Sequence, residues 1–500
     1  MKRLFRLKSV HLKSTLSLFA ICIAPMTLVH AEPHPSNTPS SVEITALKQL
    51  DSLKNPVSMS QLHTPTVHEF KTSSGTRVLF VEAPELPIVD IKLVFDAGSA
   101  RDSELKQGQY GLASLTSQLL AEGTPTQTTD QISANFERLG AQFGAAAYRD
   151  MFTVNLRTLS DSNLLNPAVD QLLSILKDAQ IPQSSFDRIM QQDRLGLAAQ
   201  KDSPSTTANI RFWQELYGKH PYAQPTTGTL TSIETIKPAD IRKFKDTYLV
   251  AHNLNIAITG QMSLSQAQVL AERITQSLPQ GQHARTLPKP EATTGRTVYI
   301  PFDSTQTHVM MGEVSITRDN PDLPALTVSN DVFGGGDFSA ILMQELRVKR
   351  GLTYGAYSGF NPMHSNGPFI LNYSTRSDQT NQSLKVTQQV LRDYIEKGVP
   401  LDKLNEAKTG ILNSYPLSLS SNQNIVSFLA SMGFYGLPNS YIADYPKQIE
   451  AVTPETAHQA FVRYINPDAM LTVVLGKKNP KTADTANTND SSKSNQPTPQ

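Results

Sequence analysis

From residue 341 to 360 the chain changes from a helical rhythm of apolar positions to a two-residue one. Ile341, Leu342, Met343 and Leu346 give the first part an apolar side, so a helix is predicted. Either Asp337 or Ser339 can cap its start, and Gly351 stands where a left-handed residue ends a helix. The following Thr-Tyr-Gly-Ala-Tyr-Ser-Gly-Phe alternates, which predicts a strand with Tyr354, Ala356, Ser358 and Phe360 on one face. Gly355 and Gly359 fall on the other face and leave room for a second extended backbone. Arg347 in the last helical turn and Tyr354 at the strand start are placed to converge. A guanidinium beside a phenol suits a carboxylate or a peptide carbonyl. The same two residues also fit plain structural duties, an arginine at a helix dipole and a half-buried packing tyrosine.

Earlier in the chain the same rules predict strands at Arg77–Ala83 and Ile88–Ala97, then a helix from Gly111 to Glu122 carried by Leu112, Leu115 and Leu119, with Gly123 as its stop. A helix at Asp130–Leu139, strands at Gln142–Tyr148 and Phe152–Leu156, and helices at Leu164–Lys177 and Ser184–Gln200 complete an α+β block. Trp213, the single tryptophan, sits on a further helix as a core residue.

The pattern then repeats. Ile233, Pro238, Tyr248 and Gly260 recur as Ile449, Pro454, Tyr464 and Gly476, each 216 positions later, and each set runs through a helix into a strand. Four matches at one offset indicate a duplicated domain. The expected organisation is an arm at 32–64, a first domain at 65–279, a Pro/Gly/Gln-rich link at 280–294, a second domain at 295–478 and a polar tail at 479–500.

Composition adds less. The chain has 45 basic and 44 acidic residues among 500, and no basic stripe with interleaved aromatics, which argues against a nucleic-acid partner. Residues 1–31 hold five basic residues, no acid, an apolar run from Leu16 to Met26 and a Val-His-Ala ending: a secretory signal, with cleavage expected after Ala31. Its removal leaves 40 basic residues against 44 acidic, a net charge near −4. Cys22, the one cysteine, lies inside that signal, and the residues before it fit a lipoprotein signal poorly. A mature chain without cysteine has no disulfide or thiol chemistry, and export without a stable membrane anchor points to the periplasm of a Gram-negative bacterium.

The motifs Gly-Gly-Gly-Asp-Phe-Ser through Gly-Leu-Thr-Tyr in the second half, and Gly111-Leu112-Ala113, His220-Pro221-Tyr222 and Tyr248 to Gly260 in the first, resemble the insulinase/pitrilysin-like zinc metallopeptidases, which include the mitochondrial processing peptidase. The resemblance spans residues 67–478. It implies an α+β fold of two tandem homologous α/β domains, each a mixed sheet covered by helices, forming a clam-shell. Active relatives hold zinc with His-x-x-Glu-His on the helix after Gly111, the glutamate activating a zinc-bound water. Here Ser114 and Gln118 stand at the histidine positions and Ser117 at the glutamate's. Counting back from Asp202-Ser203-Pro204 puts Leu195 or Gly196 at the third ligand position. None of these binds a metal, and the remaining histidines are scattered. Glu122, an isolated carboxylate at the helix end, is expected to be solvated.

The resemblance implies no catalytic residue and no cofactor in this chain, and gives Arg347 and Tyr354 the role of a substrate-binding pair. Arg350 competes with Arg347 for the arginine role, and Ile341 stands where relatives often carry arginine. In two-subunit relatives one chain carries the zinc helix and the other this pair. The implied function is a zinc-less subunit, inactive alone, that holds unfolded peptides for a zinc-bearing homologous partner in a heterodimer. The alternative is an inactive scaffold or peptide-binding protein without a proteolytic partner.

Overall fold

The computed structural model describes residues 64–336 and 338–477, which lie within one compact unit. The expected signal, most of the arm, the tail and the Asp337 cap fall outside the described residues. No helix among the described residues is long and apolar enough to cross a membrane.

The first half is built on a six-stranded sheet. Its strands are β1 (His68–Lys71), β2 (Arg77–Glu82), β3 (Ile88–Phe95), β6 (Gln142–Ala147), β7 (Phe152–Leu159) and β8 (Leu254–Gly260), in the order β1-β2-β8-β3-β7-β6. Between β3 and β6 a short pair, β4 (Gly123–Thr124) and β5 (Gln127–Thr128), follows the first helix, which ends at Leu119 before the expected stop, so Gly123 opens a hairpin instead. The second half has five strands, β9 (Arg296–Pro301), β10 (Gln306–Val314), β11 (Thr353–Phe360), β12 (Pro368–Arg376) and β13 (Leu471–Gly476), in the order β11-β12-β10-β13-β9. The two orders superpose as β6/β11, β7/β12, β3/β10, β8/β13 and β2/β9. In each sheet one pair is parallel, β2 with β8 and β9 with β13. The chain is therefore the α+β, two-domain architecture that its repeat and motifs predict.

The repeated residues have physical reasons. The helices Pro238–Tyr248 and Pro454–Tyr464 start on the repeated prolines, whose missing N–H costs nothing in a first turn. The Tyr248 hydroxyl donates to Glu104 at 2.8 Å, and the Tyr464 hydroxyl to Asn320 at 3.3 Å. Glu104 and Asn320 are themselves 216 apart. Gly260 and Gly476 end their strands where a Cβ would lie 2.2 Å from the Ile88 carbonyl and 2.7 Å from the Thr307 hydroxyl.

Trp213 is a core residue, but its helix, Pro204–Tyr217, packs on the second sheet. Its buried residues Ala208, Phe212, Trp213 and Leu216 pack with Met310, Leu471, Val473 and Leu475 of the second sheet. Helix Asn422–Phe434 does the reverse, and Ile425, Val426, Leu429 and Ala430 pack with Leu79, Val81, Val94 and Ala257 of the first sheet. Each half lends a helix to the other's sheet. At the junction the buried Asp150 carboxylate accepts from the Tyr222 hydroxyl, the His364 N–H (2.7 Å) and the Tyr435 hydroxyl (3.3 Å).

Candidate functional site

Helix Leu112–Leu119 begins at Gly111, whose φ of 95° is a left-handed conformation suited to glycine. Its free N–H groups are capped from a distance: Asp102 accepts from Gly111 N at 2.7 Å and from Ala113 N at 2.8 Å. Burial pushes the Asp102 carboxyl up to about 8 against those stabilising N–H groups. Leu112, Ala113, Leu115, Thr116 and Leu119 face the core, which turns Ser114, Ser117 and Gln118 to the half-buried side.

There the three polar residues bond among themselves and to one acid. Gln118 Nε2 lies 3.5 Å from Ser114 Oγ and donates to Asp193 Oδ2 at 3.1 Å, while the Ser117 hydroxyl donates back to the Ser114 carbonyl at 2.8 Å. Asp193 sits on helix Gln183–Gln200, and burial holds its carboxyl above the usual range. Leu195, by contrast, is 67% exposed. The third-ligand helix thus presents Asp193, not Leu195 or Gly196. The helix period could have found it, since Asp193 lies between buried Met190 and Leu197 at spacings of three and four.

Glu122 is not a free carboxylate either. Arg188 binds it at 2.7 Å and the Thr129 hydroxyl donates to it, and the Arg188 and hydroxyl bonds outweigh burial to hold its carboxyl below the usual range. One carboxylate with a hydroxyl and an amide does not fit zinc, which takes imidazole, thiolate or carboxylate donors. No group of three or more His, Cys, Asp or Glu placed to hold a metal occurs among the described residues.

The second candidate site is the Arg347–Tyr354 segment. The helix starts at Ile341 and widens into a π-helical turn over Gln344–Val348, ending at Gly351 with φ 60°. Ala340 occupies the cap position, and Ser339 does not cap. The strand that follows carries a bulge: Thr353 faces Thr375 but Ala356 faces Tyr373, so one extra residue is inserted on β11. The bulge breaks the predicted alternation. Ala356 and Ser358 are buried as expected, but Tyr354 is 83% exposed and Tyr357 47%.

The expected convergence of guanidinium and phenol takes a different form. Arg347 Nη1 donates to the Tyr354 carbonyl at 2.6 Å, and its guanidinium lies 4.5 Å from the centre of the Phe338 ring. The arginine braces the bulged backbone and leaves the phenol projecting. Arg350 is committed elsewhere, to the Glu345 carboxylate at 2.5 Å and its carbonyl at 2.8 Å. Tyr354 and Tyr357 line a cleft of about 650 Å³ between β10–β12 and the borrowed helix Pro204–Tyr217, with Asn209, Asn372, His308 and Ser374. His308 Nδ1 lies 2.9 Å from the Ser374 hydroxyl, and burial lowers its pKa.

The family description "Insulinase (Peptidase family M16)" matches residues 77–230, and "Peptidase M16 inactive domain" matches residues 235–411. The crystal structure of a peptidase M16 inactive domain from Pseudomonas fluorescens superposes with a TM-score of 0.79 at 37% identity, over 82% of this chain and 98% of that one. A Helicobacter pylori protein named "Non-peptidase homolog YmxG" is 24% identical over 77% of this chain and 88% of its own. A Rickettsia bellii protein named "Uncharacterized zinc protease" is 25% identical over 65% and 80%. The two tandem sheets, the helix at the zinc position and these matches agree: the chain belongs to the insulinase family, peptidase family M16.

Proposed function

We propose that this chain is a zinc-less, non-catalytic subunit of a periplasmic insulinase-family peptidase, which binds unfolded peptide and positions it for a zinc-bearing homologous partner. The observation that carries this reading is the contrast between the two sites. The zinc helix keeps its fold but holds Ser114, Ser117 and Gln118, whereas the bulge at β11 holds the Tyr354 phenol out of the sheet with Arg347 behind it. A neutral hydroxyl and an amide supply neither a metal site nor a general base. A projecting phenol and the remaining guanidinium N–H groups can bind a peptide carbonyl or carboxylate.

A peptide can also add by main-chain pairing, which gives affinity with little sequence preference. At β11 the Tyr354 carbonyl is taken by Arg347, and the Ser358 carbonyl accepts from Asn330 at 3.1 Å. β6, beside the degenerate zinc helix, pairs among the described residues with β7 alone and carries small residues at Gly144–Ala147, which favours it as the edge for an added strand.

The test is a complex reconstituted with a zinc-bearing homologue and carrying Arg347→Ala with Tyr354→Phe. The expected result is a fall in kcat/KM of roughly tenfold or more; an unchanged value refutes the role of the pair. The matches to an inactive domain and a non-peptidase homologue favour a second reading, a peptidase-like scaffold with no proteolytic partner. Gentle purification of the tagged chain separates the two. A co-purifying homologue with His-x-x-Glu-His and chelator-sensitive cleavage supports the heterodimer, and a solitary chain supports the scaffold.

A further inference from the structure

A cavity of about 440 Å³ in the second half stands apart from both candidate sites. It is walled by the aromatic rings of Phe360, Phe428, Tyr415, Tyr441 and Tyr445, and one arginine, Arg318, enters it. Gly335 and Ser414, both exposed, form part of its rim, so it opens to solvent.

Arg318 is unusual among the enclosed arginines. Arg101 spends its N–H groups on Asp96 and Glu104, and Arg149 on the carbonyls of Tyr222 and Gln224. Arg318 Nε is buried with no hydrogen-bond partner, and no ion pair joins its guanidinium to a carboxylate among the described residues. A buried donor left unmatched is costly, but Nε has almost no accessible surface, so a ligand in the cavity would meet the charge through the Nη groups. The backbone beside it is fixed, because Arg318 N–H donates to the Met363 carbonyl at 2.9 Å and Thr317 bridges to Met363. Tyr441 and Tyr445 line the same cavity as Arg318.

The Tyr415 hydroxyl is committed to the Ile442 carbonyl at 2.7 Å, so that wall presents ring rather than donor. Asn330 binds Ser358 through both its amide and its carbonyl oxygen. A fork-shaped cation at one end of an aromatic chamber of this volume matches a carboxylate joined to an apolar group.

We propose that this cavity is a binding site for a carboxylate attached to an apolar, ring-sized group, with Arg318 as its anchor. Two sources share that chemistry, a small aryl carboxylate and the free C-terminus of a peptide ending in an apolar residue. The test is isothermal titration of the full chain with phenylpropionate, with acetyl-Ala-Ala-Phe, and with the C-terminal amide of that same peptide. Saturable binding of either acid, at least about tenfold tighter than the amide, supports the site. A response to phenylpropionate identifies a small-molecule ligand, and a response to the peptide acid alone identifies a chain end. Arg318→Gln should weaken the acid at least about tenfold and leave the amide unchanged, while Arg318→Lys should retain part of the affinity. Absence of saturable binding by both acids, equal binding of acid and amide to the wild type, or affinity undiminished in Arg318→Gln overturns the proposal. The acid–amide comparison needs no variant and survives any folding defect in Arg318→Gln.

Discussion

The polar residues at the old zinc position make a quantitative prediction: two substitutions, Ser114→His and Gln118→His, should create a metal site. Zinc bound by imidazole and carboxylate at roughly 2.0–2.2 Å in a tetrahedron holds its donors about 3.3–3.6 Å apart. Gln118 Nε2 already lies 3.1 Å from Asp193 Oδ2 and 3.5 Å from Ser114 Oγ. The two histidines would share a helix face, and Asp193 would supply the third donor. Two imidazoles and a carboxylate correspond to a micromolar or tighter site, about 8 kcal/mol or more. Protons compete with zinc for the two imidazoles and for a carboxyl that burial holds above its usual range, so affinity should fall as pH is lowered. The assay is zinc per chain after dialysis, with competition by a chromophoric chelator. Asp193→Ala on the same background should cost about a hundredfold in affinity, near 2.7 kcal/mol. No retained zinc at micromolar concentration, or retention indifferent to Asp193→Ala, would show that Asp193 does not face this site.

Three further outcomes follow from the packing and the buried charges. Phe212→Ala empties a fully buried position on the lent helix and should cost about 3–5 kcal/mol; urea unfolding with hydrogen exchange should find protection lost in β10 and β13, and loss confined to the first half would contradict the exchange of helices. Burial pushes the Glu313 carboxyl up to about 7 from 4.5, so the native state binds the extra proton and stability falls as pH rises from about 4.5 to 7. The drop is about 3 kcal/mol, and the wild type minus Glu313→Gln difference in unfolding free energy should carry that slope. Asp102→Ala uncaps helix Leu112–Leu119 and leaves two buried N–H groups unmatched, for a loss of about 2–3 kcal/mol by denaturant titration.

What the sequence made legible were features enforced at single residues. Pro238 and Pro454, Tyr248 and Tyr464, and Gly260 and Gly476 each occupy a position with a local steric or hydrogen-bonding reason, so the duplication could be counted along the chain. Features decided by pairing between distant segments stayed hidden. Strict alternation put Tyr354 on the face of Ala356, and only the register against β12 exposes the inserted residue that turns it outward. Trp213 could be read as a core residue on a helix, but the sheet that helix packs against lies across the repeat. Asp193 was passed over because counting back from a turn ignores which side of the helix is buried.

The zinc helix explains how a catalytic site can be lost without losing the fold. Its stability rests on Leu112, Ala113, Leu115 and Leu119 in the core and on the Asp102 cap, all of them off the face that would meet a metal. Ser114, Ser117 and Gln118 lie on the half-buried side, where hydroxyl and amide groups satisfy one another and Asp193. Substitution there costs little packing, whereas the bulge and brace at Tyr354 depend on β12, Arg347 and Gly351 together. A fold arranged this way can change the polar face of helix Leu112–Leu119 while the bulge at Tyr354 stays fixed, which is what the proposed division of labour between two subunits requires.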